Sequence, residues 1–157
     1  MIMRYSYRKA LVCLKDYAEN GGLEVIFAYS GTSHINWTPA TLNDLKKVYI
    51  EKHTPESQTY LFLHELGHYE LRKNWKKFKK RLPVIAYAEE MNVTQKVTKF
   101  MRRKDYIVSS LEEEFMAWEE GLKLAGKLGI IVNPKRWISI KSDCLKGYIS
   151  YYATLKK

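Results

Sequence analysis

Apolar positions near the start of the chain recur at helical spacing, at Tyr7, Ala10, Leu11, Leu14, Tyr17 and Ala18, and Asn20-Gly21-Gly22 follows as a stop signal. A first helix over about residues 5 to 18 is the prediction. Leu23-Glu24-Val25-Ile26-Phe27-Ala28-Tyr29 is short, β-branched and aromatic, which predicts a strand, and Ser30-Gly31-Thr32-Ser33 reads as a turn. Ile35-Asn36-Trp37-Thr38 is a candidate second strand before Pro39, and Lys46 to Lys52 alternates in the manner of a half-buried third. At Thr54 the period turns helical. Thr54 is placed to cap, Pro55 suits the first helical position, Glu56 puts negative charge at the positive helix end, and no Gly or Pro interrupts before Gly67. Leu82-Pro83-Val84 breaks the next stretch, and Ala86 to Met101 resumes it with Val93, Val97 and Phe100 on one face. Another helix is predicted from Ser109 or Ser110 to about Lys127, with Gly129 near its stop. A last one, from Asn133-Pro134, includes Leu145, Tyr148, Ile149 and Tyr152. A helix, a small sheet and then helices define an α+β class, and no repeat or linker divides residues 1–157, so one domain is expected.

Composition supports a packed core and narrows the setting. At 157 residues and 46% hydrophobic, with 12 Tyr, the chain is long enough for one domain and unlike a disordered one. Cys13 and Cys144 stand far apart with no CxxC spacing, which argues against a cysteine zinc site or a disulfide framework and for a reducing compartment. The N-terminal residues lack the apolar stretch of a signal peptide, and no run approaches the ~18 apolar residues of a membrane span. A cytoplasmic protein without a membrane partner is expected.

The net charge of +10 is unevenly placed. Residues 72 to 104 hold 12 Lys and Arg against Glu89 and Glu90, a net of +10, while the rest of the chain carries 15 of each sign. The densest part, Arg72 to Arg81, interleaves Trp75 and Phe78 with cations, a mixture that suits phosphate backbones and stacked bases. The plainer reading is a solvated helical continuation whose two aromatics dock on the body, and it is the favoured one. Nucleic acid or an acidic protein remains a possible partner of the segment.

Within the third-strand-to-helix region lies His64-Glu65-Leu66-Gly67-His68, an HExxH pattern. Histidines four apart project from one side of a helix, so both imidazoles reach a single cation, and Glu65, ~100° further round, reaches a water on that cation without ligating it. Tyr60, Leu61, Leu63 and Leu71 make the helix largely apolar, so the histidines and glutamate need a compensating charge. The expected metal is zinc, with Glu65 as the catalytic base. A catalytic zinc takes three protein ligands, and the motif supplies two. Position 74 is Asn where a metzincin has its third histidine, and no histidine follows His68, which also excludes SprT-like proteases. A carboxylate must complete the set. In Leu111 to Ala125 the apolar side is set by Leu111, Phe115, Trp118, Leu122 and Ala125; Glu114 lies at its edge beside Ala117 and Gly121, and Glu113, ~160° from its centre, should face solvent. Glu89 and Glu90 are the rivals for third ligand. For the oxyanion donor, Tyr60, Tyr69, Tyr106 and His34 are all candidates.

The run Glu113-Glu114-Phe115-Met116-Ala117-Trp118-Glu119-Glu120-Gly121 resembles the EExxAWxxG segment that follows HELGH in small metallopeptidase-motif proteins, many of them phage-encoded, and loosely resembles the matching helix of ImmA/IrrE-type peptidases. The resemblance covers roughly residues 46 to 125. It implies a minimal zincin-like fold and a gluzincin-like site in which the glutamate three before the alanine, Glu114, joins His64 and His68 on the metal. It also implies a protein or peptide substrate, drawn out beside a strand near the active-site helix, here Ile35 to Trp37 or Val48 to Ile50, and the host cytoplasm as location if the chain is phage-encoded. Two other readings stand beside it: an inactive zincin shell that binds nucleic acid or an acidic partner through residues 72–104, and a purely structural zinc site.

Overall fold

In a computed structural model, described over residues 6–28, 33–36, 46–92 and 97–155, the element order is α1 (Tyr7–Asn20), β1 (Leu23–Ala28), β2 (His34–Asn36), β3 (Lys46–Glu51), α2 (Pro55–Arg72), α3 (Trp75–Arg81), α4 (Pro83–Asn92), α5 (Val97–Phe100), α6 (Lys104–Lys127) and α7 (Pro134–Thr154). The α+β class stands. Gly22, at φ 84°, turns the chain from α1 into β1, a conformation that an L side chain resists. The strand order is β1-β3-β2, with β1 parallel to β3 and β2 antiparallel to it, pairing Val25 and Ile35 with Val48. Among the described residues β2 is therefore an edge strand. Val48 and Ile50, fully buried on β3, point into a core shared with Leu14 and Ala18 of α1 and Phe62 and Leu66 of α2. The turn expected at residues 30–32, the strand continuation at 37–38 and Val93 lie outside the described residues.

The sequence signals at α2 act as expected. Thr54 Oγ1 accepts from Ser57 N at 3.4 Å, Pro55 opens the helix, and Asn133 caps α7 in the same manner by accepting from Lys135 N and Arg136 N. Other boundaries differ. α4 begins at Pro83, not Ala86, because proline fits a first helical turn; α6 begins at Lys104, five residues or more before the serines nominated as its cap. Ser110 is instead buried inside the helix.

The apolar side expected on α6 is also displaced. Phe115 and Leu122 are 47% and 45% exposed, and the buried face runs through Glu113, Glu114, Ala117, Trp118, Gly121, Leu124 and Ala125. Small residues set this face. A Cβ on Gly67 would stand 1.9 Å from the Ala117 carbonyl oxygen, and one on Gly121 would stand 2.4 Å from that of Leu63, so α2 and α6 meet backbone to backbone. That approach brings the acids of α6 to the histidines of α2.

The basic stretch does not continue α2. It folds as the separate α3, capped by Asn74 Oδ1 on Lys77 N, with Phe78 buried and Trp75 stacked on it at 5.1 Å. Lys76, Lys77, Lys79 and Lys80 are exposed. With the aromatic pair turned onto the body, the segment offers cations to a partner and no open stacking platform at Phe78. Among the described residues no helix is long and apolar enough to cross a membrane.

Candidate metal centre and cleft

His64 and His68 face the same side of α2 with ring centroids 4.8 Å apart. Glu114 reaches both: its Oε2 lies 3.1 Å from His64 Nε2 and its Oε1 lies 3.4 Å from His68 Nε2. One ligand atom from each of the three falls within 4.8 Å of the others, the one such group of three among the described residues. Glu114 Oε2 is buried and makes no hydrogen bond of acceptable geometry despite its closeness to His64. Two imidazole nitrogens around a buried carboxylate oxygen that lacks a hydrogen bond are a donor set that fits a divalent cation.

Glu113 overturns the sequence expectation. It is 5% exposed, and its Oε1 stands 3.1 Å from His68 Nδ1 while accepting from Arg72 Nε at 2.8 Å; Arg72 Nη2 is 2.7 Å away. A hydrophobic-face count could not see this, because the cost of burying Glu113 is met by a histidine and an arginine on another helix. Its carboxylate holds the Nδ1 end of His68 and so directs Nε2 towards Glu114, the arrangement that orients and strengthens metal-binding histidines. Arg72 Nη1 continues the chain to Glu89 at 2.8 Å. Neither rival for third ligand joins that trio: Glu89 pairs with Arg72, and Glu90 is exposed and pairs with Lys79 at 2.6 Å. His64 is oriented differently, by stacking on Trp118 at 4.4 Å and 18°.

The charges in the site oppose burial. Desolvation pushes the His68 imidazolium down, but Glu114 and Glu113 outweigh it and raise its pKa from 6.5 to about 10. Desolvation likewise pushes Glu114 up, and the two histidines overcome this to hold its pKa well below 4.5. In the metal-free protein the stability supplied by His68 is therefore complete below pH 6.5 and is lost as pH rises through about 10. The share from Glu114 is complete above pH 4.5 and is lost as pH falls through its lowered folded value. Urea midpoints of metal-free protein should thus decline from pH 6.5 towards pH 10; a midpoint that rose over that interval would contradict the pairing.

Glu65 is 5% exposed, and its pKa is raised by desolvation, which His64 and His68 oppose and Glu114 reinforces. It lines two adjoining hollows. The smaller, about 200 Å³, also has His34, His68, Arg72, Glu89 and Glu114 in its wall; the larger, about 490 Å³, has Leu61, His64, Cys144, Gly147 and Tyr151. Ser33, His34 and Tyr148 border both. Of the four candidates for oxyanion donor, only His34 comes to the cleft. The Tyr60 hydroxyl is taken by Glu56 and Asn133 N, that of Tyr69 by the Gly21 carbonyl at 2.8 Å, and Tyr106 packs against Phe100.

Tyr148 is the residue the sequence reading passed over. The sequence places it only among the residues of a last helix, yet it faces the Glu114 carboxylate, and burial together with that charge pushes its phenol far up. The signal was the set Cys144, Gly147, Tyr148 and Tyr151, which shares one face of α7. Cys144 brings a possible nucleophile to the same cleft, but burial and the charges of Glu114 and Glu65 push its thiol up to about 11, so it stays a neutral thiol. No protein-family model, curated protein or solved structure matches this chain.

Proposed function

We propose that the protein is a zinc-dependent metallopeptidase whose metal is held by His64, His68 and Glu114. The observation that carries this reading is the convergence of the three donors in a buried setting, with Glu113 bound to the far nitrogen of one histidine. A divalent cation bound there would supply Lewis acidity, acidifying a bound water and polarising the scissile carbonyl. Glu65 is the general base. Its position off the histidine stripe keeps it out of the donor set, and its buried carboxylate in the wall of the cleft is placed to take a proton and return it to the leaving amine. Tyr148, with its phenol held protonated, and His34 stand where a hydrogen bond can be donated to the developing oxyanion. β2, an edge strand among the described residues, lies at the mouth of the cleft, so extended substrate has a backbone to pair with between β2 and α7.

Metal content of the purified protein and its variants tests the site directly. Wild type should hold one equivalent of zinc; His64→Ala and Glu114→Ala should lose it; Glu113→Gln should keep it with affinity lowered ~10- to 100-fold. Glu90→Ala should bind as wild type does. Full occupancy in Glu114→Ala would remove the third ligand from this scheme.

A further inference from the structure

The two hollows that meet at Glu65 differ in chemistry. The smaller is walled by charged groups, Arg72, Glu89, Glu114 and His68, whereas the larger has a mainly apolar wall made by Leu61 of α2 and by Cys144, Gly147, Tyr148 and Tyr151 of α7. Tyr148 and Tyr151 are 37% and 51% exposed, large aromatic surfaces turned to solvent beside the candidate reaction centre. Gly147 completes this wall. Close backbone approach explains Gly67 and Gly121, but a Cβ on Gly147 would meet no atom within 4 Å. Glycine weakens a helix interior, and here no neighbouring backbone needs the room. What the missing side chain leaves open is the hollow itself.

We infer that this hollow is the specificity pocket of the cleft, receiving an aromatic or branched aliphatic side chain of the residue next to the bond to be cut, with Gly147, Tyr151 and Leu61 setting its size. Burying such a side chain against Leu61 and the two tyrosine rings removes apolar surface from water on both partners. An acidic side chain gains no such burial and would give up hydration on entering the apolar wall. The inference rests on the metallopeptidase reading for the nature of the occupant, while the apolar wall of the pocket is built from residues outside the metal trio, which touches the hollow only through His64.

The test uses two blocked hexapeptides that differ at one central position, phenylalanine or aspartate, titrated into isotopically labelled Glu65→Gln protein with and without zinc. The phenylalanine peptide should shift the amides of Gly147 and Tyr151 saturably and bind at least tenfold more tightly than the aspartate peptide. Gly147→Leu, which fills the hollow, should erase that advantage, and Gly147→Ser, a smaller step, should reduce it. Equal affinities for the two peptides, no saturable binding of either, or shifts that avoid α7 would each overturn the pocket, and none of these readouts depends on a variant at position 147 folding. The parent reading fails by a different result. A phenylalanine preference in protein that takes up no zinc would refute the metallopeptidase and leave the pocket in place.

Discussion

Glu65→Gln should retain its full equivalent of zinc and lose peptide hydrolysis by about 10²- to 10⁴-fold, the usual contribution of a positioned general base. The substitution keeps the volume of a side chain that is 5% exposed and replaces a basic carboxylate with an amide that cannot accept the proton. Zinc content measured alongside turnover separates this role from a ligand's. Turnover that survives in Glu65→Gln would refute the assignment whatever the metal content.

Gly67→Ala should lower stability by roughly 3 kcal/mol or more, at or beyond the upper end of ordinary overpacking. The added carbon would lie 1.9 Å from the carbonyl oxygen and 2.7 Å from the carbonyl carbon of Ala117, with Gly121 N at 3.0 Å. Every one of those atoms is backbone, so no rotamer change relieves the clash, and α2 and α6 must move apart. Gly126→Ala supplies the control: its Cβ would meet nothing within 4 Å, so it should be neutral or stabilise by up to ~1 kcal/mol. Urea midpoints of the two variants and wild type provide the comparison. A Gly67→Ala midpoint equal to that of wild type would mean that the helices do not touch at this point. Ala117 lies three residues after Glu114 and Gly67 one before His68, so the variant should also weaken metal binding.

The histidine pair, the strand before it and the capped helix that carries it were legible because each depends on local signals: a cap, a proline at a first turn, an i,i+4 spacing. Glu114 was legible for a related reason, its place beside Ala117 and Gly121 at the edge of an expected buried face. Glu113 was not. The count of apolar residues on α6 leaned towards Phe115 and Leu122, which remain half in water, whereas the face that is buried is made of small residues and of two acids whose partners come from α2. Hydrophobicity along one helix carries no record of a cation supplied by another. Tyr148 was missed on similar grounds. A tyrosine at helical spacing reads as core, and only the packing of α7 over the cleft places its phenol opposite a carboxylate.

The backbone contact between α2 and α6 separates two kinds of change this protein can tolerate. Donor positions are referred to main-chain atoms, which have no alternative rotamers, so their spacing does not drift as surrounding side chains vary. The far wall of the cleft, on α7, is held by side chains and faces solvent. On the proposed reading, substitutions at Gly147 and Tyr151 should alter what is selected, while substitutions along the helix pair should alter whether anything reacts. Tyr148 belongs to both sides of that division, so it is the one position of the α7 wall where a change of choice would also reach the chemistry.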